Sequence, residues 1–594
     1  MGYLRVLFGV FLLPVWVFSG CSTDIPDGSE FVSHFTFMEA DGRVLSIEPA
    51  AEVDLQVRWF YDPNPVEGGP YQVSIDGKPF PLSPAGIVFP AYYARFQVRE
   101  PFTMDIEVDL PEGHSIQLQP RRYQDDLLVG ENGKLSLEIK EAGQRVFMLK
   151  SEEGDLHTPL IILAEPCKSW KVIDADDPRE FVNVSHLANL GPENPQTGAI
   201  QEALDAVAES KEGGTVYFGP GEYYTGHLVV GSNTRVFLAP GTVIYGHADL
   251  NSYYQPDGMV LFLFDNADNS GLDGPGVIDG NGYSIQQIEE ERTSIHLVRF
   301  RDSRNMYAQN VMMRNSVAWT FHILGCDDVD VDGLRVIGDW GLPNVDGIDP
   351  DNSRNVQIVN TFVYASDDAV VVKTSGRYGI SGPSENIEIR DSVVMTLKTA
   401  LKLGTESRDN ISNVLFDNID VIFSSRGVAA WMRDGHDYSD ITWRNIRMDL
   451  YEFPGESMSG EPFRFTIEDR NGVGNIRNVL LENIDVSAPY RARFTGREGG
   501  QFENIKLSNI NWKVTPARIK TPPDPVTSGL IVDSGNELPV DGRPLMQVHR
   551  VKNLKVDKVT IDWLEAPDSW DRFLDIQASD NIQLDKVSHT GYPF

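Results

Sequence analysis

From Asn305 onward one phrase returns ten times: Asn or Asp, alternating apolar residues, a polar pair, then a second apolar alternation. It reads NMYAQNVMM at Asn305, DVDVDGLRV at Asp328, NVQIVNTFV at Asn355, NIEIRDSVV at Asn386 and NVLFDNIDV at Asn413. It continues as DITWRNIRM at Asp440, NVLLENIDV at Asn478, NIKLSNINW at Asn504, NLKVDKVTI at Asn553 and NIQLDKVSH at Asn581. Successive starts lie 23, 27, 31, 27, 27, 38, 26, 49 and 28 residues apart, so most intervals share one coil length and two carry an insertion or an extra coil. A single unit of this kind cannot bury its apolar side chains. Coils stacked on one another can, because each then supplies the cover for the next. The expected fold is all-β, a right-handed parallel β-helix. A leucine-rich horseshoe would need its own leucine spacing and a recurring helix, and a propeller would need four strands per blade. The repeated Asn and Asp are expected in the turns, bonding local backbone groups.

The solenoid is expected over 169–594, with one helix at TGAIQEALDAVAES, Thr197 to Ser210, where apolar residues recur at helical spacing. Residues 31–168 read differently. Segments such as EVDLQVRWFYD, TMDIEVDL and LSLEIKE alternate apolar and polar positions between turn signals and predict a small antiparallel β-sandwich. The chain opens with a single Arg, an apolar run of about a dozen residues and Ser19-Gly20 before Cys21, which predicts a secretory leader over 1–20 and a tether over 21–30. FSGC resembles the lipobox of bacterial lipoproteins. The expectation is therefore export, lipidation at Cys21, and attachment to the cell envelope by that anchor alone. Cys167 and Cys326 are expected as buried thiols, with no disulfide framework. The formal charge of −36, with no Lys/Arg cluster, argues against a nucleic-acid partner.

The segment ASDDAVVVK places Asp367 and Asp368 side by side before a valine run that reads as a buried strand. Strands in such a stack lie roughly 4.8 Å apart, so residues one coil apart become neighbours. Asp346, in GLPNVDGIDPDN, precedes Asp367 by 21 residues, close to the shortest coil interval. Three carboxylates at that range raise the proton affinity of at least one of them, so an acid and a base coexist near neutrality. Glycoside hydrolysis needs that pair. Asp349 and Asp351 are expected as turn residues.

NVDGID followed a coil later by SDDAVVVK, with GGTVYFGPGEYYTGHL, GPGVIDGNG and RNSVAWTFHI upstream, resembles glycoside hydrolase family 28, the polygalacturonase family, over roughly 170–594. The resemblance implies that Asp346, Asp367 and Asp368 are the catalytic carboxylates. The division expected from it makes Asp368 the general acid, with Asp346 and Asp367 holding the attacking water in an inverting displacement; close stacking of the carboxyls taken by itself points to retention instead. The family's Gly-His-Gly segment is replaced by LKTALKLGTES, and its Arg-Ile-Lys by SRGVAAWMRDG, which puts Ala429 and Trp431 at the aligned places. ARIKT at 517–521 lies several coils too late. A neutral or non-polygalacturonate polysaccharide or oligosaccharide is therefore the expected substrate. Lys373, Lys402 and Arg433 are the cations that would serve an acidic sugar instead, and Asn344 and Glu406 are candidate sugar hydrogen-bonders. Trp319, Trp340 and Trp431 are open between sugar platform and core packing, and His322 is expected to be structural. No cofactor or metal is expected, and the chain is expected as a monomer. A Ca²⁺-dependent polysaccharide lyase and a non-catalytic glycan-binding lipoprotein are the competing readings.

Overall fold

The computed structural model describes residues 35–38, 44–47, 57–59 and 70–590, apart from 88, 109–113, 131–133, 152–157, 168–178, 256–257, 289–292, 452–459, 516–543 and 565–571. The leader, Cys21 and ARIKT lie outside the described residues.

Each repeated phrase forms strand in one long parallel sheet of 20 strands, and a facing parallel sheet of 12 strands closes the coil. Register is strict. Val329, Val356, Ile387, Val414, Ile441, Val479, Ile505 and Leu554 sit level on successive coils, and all are buried in one core that runs the length of the solenoid. This column is the physical content of the repeat, since each apolar side chain finds its cover one coil away. The helix Thr197–Glu209 closes one end, with Ile200, Ala203, Leu204 and Val207 buried against the first coils.

The opening Asn or Asp of all ten phrases has a positive φ, which those residues tolerate better than other side chains bearing a Cβ. Their side chains act differently from expectation. Rather than bonding only local backbone they bond each other from coil to coil, as in Asn386 Nδ2 to Asn355 Oδ1 (3.0 Å), Asn413 Nδ2 to Asn386 Oδ1 (2.7 Å) and Asn581 Nδ2 to Asn553 Oδ1 (2.7 Å). An amide carries both donor and acceptor, so one column of Asn extends indefinitely.

The N-terminal part is a two-sheet sandwich. One sheet runs Leu127–Val129, Lys134–Ile139, Phe102–Val108, Tyr71–Ile75 and Lys78–Phe80, all antiparallel. In the other, Leu160–Pro166 pairs with Ala91–Val98 in parallel and with Gly143–Ser151 antiparallel. This second sheet is buried on both faces. Ala94, Phe96, Phe147, Leu160 and Ile162 fill the sandwich core, while Ala91, Tyr93, Val146, Met148, Ile161 and Leu163 pack on Met312, Ile337, Phe362, Tyr364 and Val393 of the solenoid. Strands covered on both sides read as near-continuous apolar runs, which is the texture of LIILAEP. Glu165 locks the contact: it accepts from Arg95 Nε of the sandwich (3.1 Å) and from Arg335 Nε and Nη2 of the solenoid (2.9 and 2.6 Å). Cys326 is a buried free thiol as expected. Cys167 is not: it is disulfide-bonded.

Candidate active site

Two turns between the sheets carry the expected acids. Gly338 to Gly347 enters the strand Ile348–Asp351, and Ser366 to Ala369 enters Val370–Thr374. Ile348 pairs with Val370, and the same register carried back two residues sets Asp346 level with Asp368. Gly347 N donates to the Asp368 carbonyl (2.9 Å) and Asp367 N to the Val345 carbonyl (3.2 Å), so the three acids occupy adjacent rungs. Their charges act on one another. None faces the hydrophobic core.

Two lysines complete the cluster. Lys373 Nζ donates to Asp346 Oδ2 (2.9 Å) and pairs with Asp349 Oδ1 (2.8 Å). Lys402 Nζ donates to Asp368 Oδ2 at 2.6 Å. Asp349 and Asp351 thus correct the sequence reading. Both lie within a strand and are fully buried; Asp349 joins the acid cluster through Lys373, and Asp351 bonds His322 Nε2 (3.0 Å) and the Ser375 N–H (2.7 Å). The alternation Ile348, Asp349, Pro350, Asp351 carried the signal. With Ile348 in the core, period two sends both acids to the opposite face.

Electrostatics separate the carboxyls. Burial pushes Asp367 up to about 7, and the negative charges of Asp346 and Asp368 add to it. Burial also pushes Asp346 well up, reinforced by Asp349 and Asp368 and opposed by Lys373. Asp349 rises to about 6 from burial, with Lys373 opposing. Burial would raise Asp368 as well, but Lys402 and Lys373 outweigh it, and that carboxyl falls below its ordinary value. Lys373 is held firmly protonated by Asp346, Asp349 and Glu406 in spite of its burial. Asp368 is therefore the carboxyl held most firmly ionised, while Asp346, Asp349 and Asp367 each bind a proton more tightly than an ordinary aspartate.

The other expected residues fall around this centre. Asn344, half-buried with a left-handed φ of 57°, lies two residues before Asp346. Glu406 is half-buried, close enough for its charge to act on Lys373. Trp319 lies under Lys373 Nζ, 3.5 Å from the ring centroid, and the Arg377 guanidinium is 4.5 Å from the same ring. Trp431 is buried; its indole N–H donates to Glu468 Oε1 (2.6 Å), and the Arg464 guanidinium lies 4.1 Å from the ring centroid. Arg433 Nε pairs with Glu468 Oε2 at 2.9 Å. Trp340 resolves to packing, 1% exposed and stacked on Phe89 and Tyr364. Glu468 and Arg464 were invisible to the sequence reading because they arrive from a later coil. Among the described residues no set of three His, Cys, Asp or Glu is arranged to hold a metal ion.

Residues 240–522, which contain the acids and the cations around them, match the family described as Glycosyl hydrolases family 28. The solenoid is a family-28-like β-helix related to polygalacturonases. Over 403 residues the chain is 22% identical to a probable polygalacturonase of Vitis vinifera, covering 60% of this chain and 80% of that protein. It is 25% identical over 227 residues to an exopolygalacturonase of Arabidopsis thaliana, of which it spans half. Among solved structures, a hyperthermoactive exopolygalacturonase from Thermotoga maritima superposes with a TM-score of 0.53 at 18% identity, covering 66% of this chain and 93% of that one. Dex49A from Penicillium minioluteum gives 0.51 at 13% identity, covering 87% and 92%. At these identities the structural likenesses speak for the fold.

Proposed function

We propose that this protein is an exported glycoside hydrolase, lipid-anchored through Cys21, that cleaves a polysaccharide or its oligosaccharides with inversion. The observation carrying the proposal is the split in proton affinity among acids on adjacent rungs: Asp367 is raised to about 7 while Asp368, 2.6 Å from Lys402, is lowered. A general acid must hold a proton at working pH and a water-holding carboxylate must not. The roles expected from sequence are thereby exchanged. Asp367 protonates the glycosidic oxygen as the bond to the anomeric carbon breaks. Asp368, the ionised carboxylate, takes the proton of the water that attacks that carbon, and Asp346 on the adjacent rung helps to hold that water. Lys402 keeps Asp368 ionised.

A neutral sugar is favoured. Ala429 and Trp431 offer no cation, and the three cations named from sequence are each already matched by an acid: Lys373 by Asp346 and Asp349, Lys402 by Asp368, Arg433 by Glu468. Arg464 and Arg493 likewise share Glu461. An already neutralised cation gives a uronate carboxylate little net attraction. The likeness to polygalacturonases speaks for the acidic alternative. Reducing-end release from a panel of neutral and acidic polysaccharides, with Asp346→Asn, Asp367→Asn and Asp368→Asn beside wild type, tests the proposal. Activity on a neutral glycan that falls at least a hundredfold in all three variants supports it. Turnover of polygalacturonate alone would overturn the substrate assignment, and binding without turnover of any glycan would leave a carbohydrate-binding protein.

A further inference from the structure

The turn that delivers Asp346 is held from outside the solenoid. At its start the Asp339 carboxylate, 1% exposed, accepts three backbone N–H groups: Gly341 of the turn at Oδ1 (2.9 Å), and Ile87 at Oδ2 (2.7 Å) and Phe89 at Oδ1 (3.2 Å) of the sandwich. The next side chain, Trp340, stacks between Phe89 (5.5 Å, 6° between planes) and Tyr364 (4.4 Å, 2°) of the following coil. Gly86 N donates to Asn315 Oδ1 (2.8 Å) in the preceding coil. The sandwich loop is shaped for this grip. Gly86 has a φ of 78°, and a Cβ there would stand 2.9 Å from the Phe89 carbonyl oxygen and 3.3 Å from Asp339 Cγ.

Beyond Trp340 the turn is tied to the coil that bears the other two acids. Ser366 Oγ donates to the Leu342 carbonyl, Val345 N donates to Ser366 Oγ (3.3 Å), and Gly347 N to the Asp368 carbonyl (2.9 Å). The segment carrying Asn344 and Asp346 is thus anchored at one end to the sandwich and at the other to Ser366 and Asp368. A loop bearing chemistry needs such support, because a charged carboxylate buried among like charges is pushed outward by them.

We infer that the sandwich is a positioning element of the active site, acting through Asp339 and the Phe89–Trp340 stack on the placement of Asp346. The effect on turnover rests on the hydrolase reading above; the effect on the turn does not. Asp339 and Phe89 are positioning residues, since neither touches the acids.

The test uses the full chain with Asp339→Asn, Phe89→Ala, the conservative Phe89→Tyr, and Arg121→Ala as a control. Arg121 bonds Asp449 and Ser487 elsewhere on the same interface. Hydrogen exchange should accelerate at least tenfold at the amides of 341–347 in Asp339→Asn and Phe89→Ala, while 370–374 keeps its wild-type rate. Arg121→Ala should leave 341–347 unchanged, and Phe89→Tyr should return it to wild type. On a hydrolysed glycan, kcat should fall about 10- to 100-fold in the first two variants with KM within threefold. Exchange at 341–347 that is unchanged in both variants, or equally raised by Arg121→Ala, overturns the inference whether or not any glycan is cleaved. Localised exchange in a protein inactive on every glycan supports the inference and defeats the hydrolase reading alone.

Discussion

Asp367→Asn should make the protein more stable at alkaline pH while removing most of its activity. The native carboxyl sits at about 7 against an ordinary 3.8, so between roughly pH 4 and 7 the folded state binds more protons there than the unfolded chain. Stability from this group is then lost as pH rises through that window, and above it the ionised side chain is a net cost. Three units of proton affinity correspond to about 4 kcal/mol, and partial solvent access at this half-buried side chain reduces that to about 2 kcal/mol. The amide removes the cost. By calorimetry at pH 8 the variant should melt about 1–2 °C above wild type, and the difference should vanish near pH 4. Its kcat should fall about 10²- to 10⁴-fold, with less loss on substrates whose leaving group needs no proton. A variant that is less stable than wild type at pH 8, or that retains wild-type turnover, would refute the assignment of the proton to Asp367.

Lys402→Met strips Asp368 of its 2.6 Å partner, so the depressed carboxyl should rise, and stability should drop by about 3 kcal/mol at pH 8 and recover on acidification, as read by denaturant melts. The acid limb of its pH–rate profile should move upward, since Asp368 must then lose a proton to work. Asn386→Ala, which removes two coil-to-coil amide bonds at a positive-φ position, should cost about 2 kcal/mol, and Asn386→Gly should recover part of it in the same melts. Chelator should leave the rate within twofold, and products should show no ultraviolet absorbance from an unsaturated sugar; a chelator-sensitive, absorbing product would point to a lyase. Cys21→Ser should abolish incorporation of a labelled fatty acid and release the chain from the envelope.

The solenoid was legible because its repeat is vertical. A strict apolar column one coil apart leaves the same trace in sequence as in space, and Val329 to Leu554 is that trace. The three acids were legible for the same reason. Asp349 was misread because a frequent turn residue was weighed without the period-two alternation from Ile348. The proposal that Asp367 rather than Asp368 is the acid was not readable at all, since it rests on Lys402, 34 positions further on, reaching Asp368. The grip of Phe89 on Trp340 spans about 250 positions between the sandwich and the solenoid, and no local pattern reports it. Even the double-sided burial of Leu160–Pro166 was visible only as an apolar run that a sandwich core alone would also explain.

Cleavage in ¹⁸O-enriched water tests the central claim most directly, because Asp346 and Asp368 are held to deliver water to the anomeric carbon. Mass spectrometry should find one ¹⁸O at the new reducing end in early products, and proton NMR should show the anomer opposite to that of the cleaved bond. Products that form without ¹⁸O at that carbon would contradict the account.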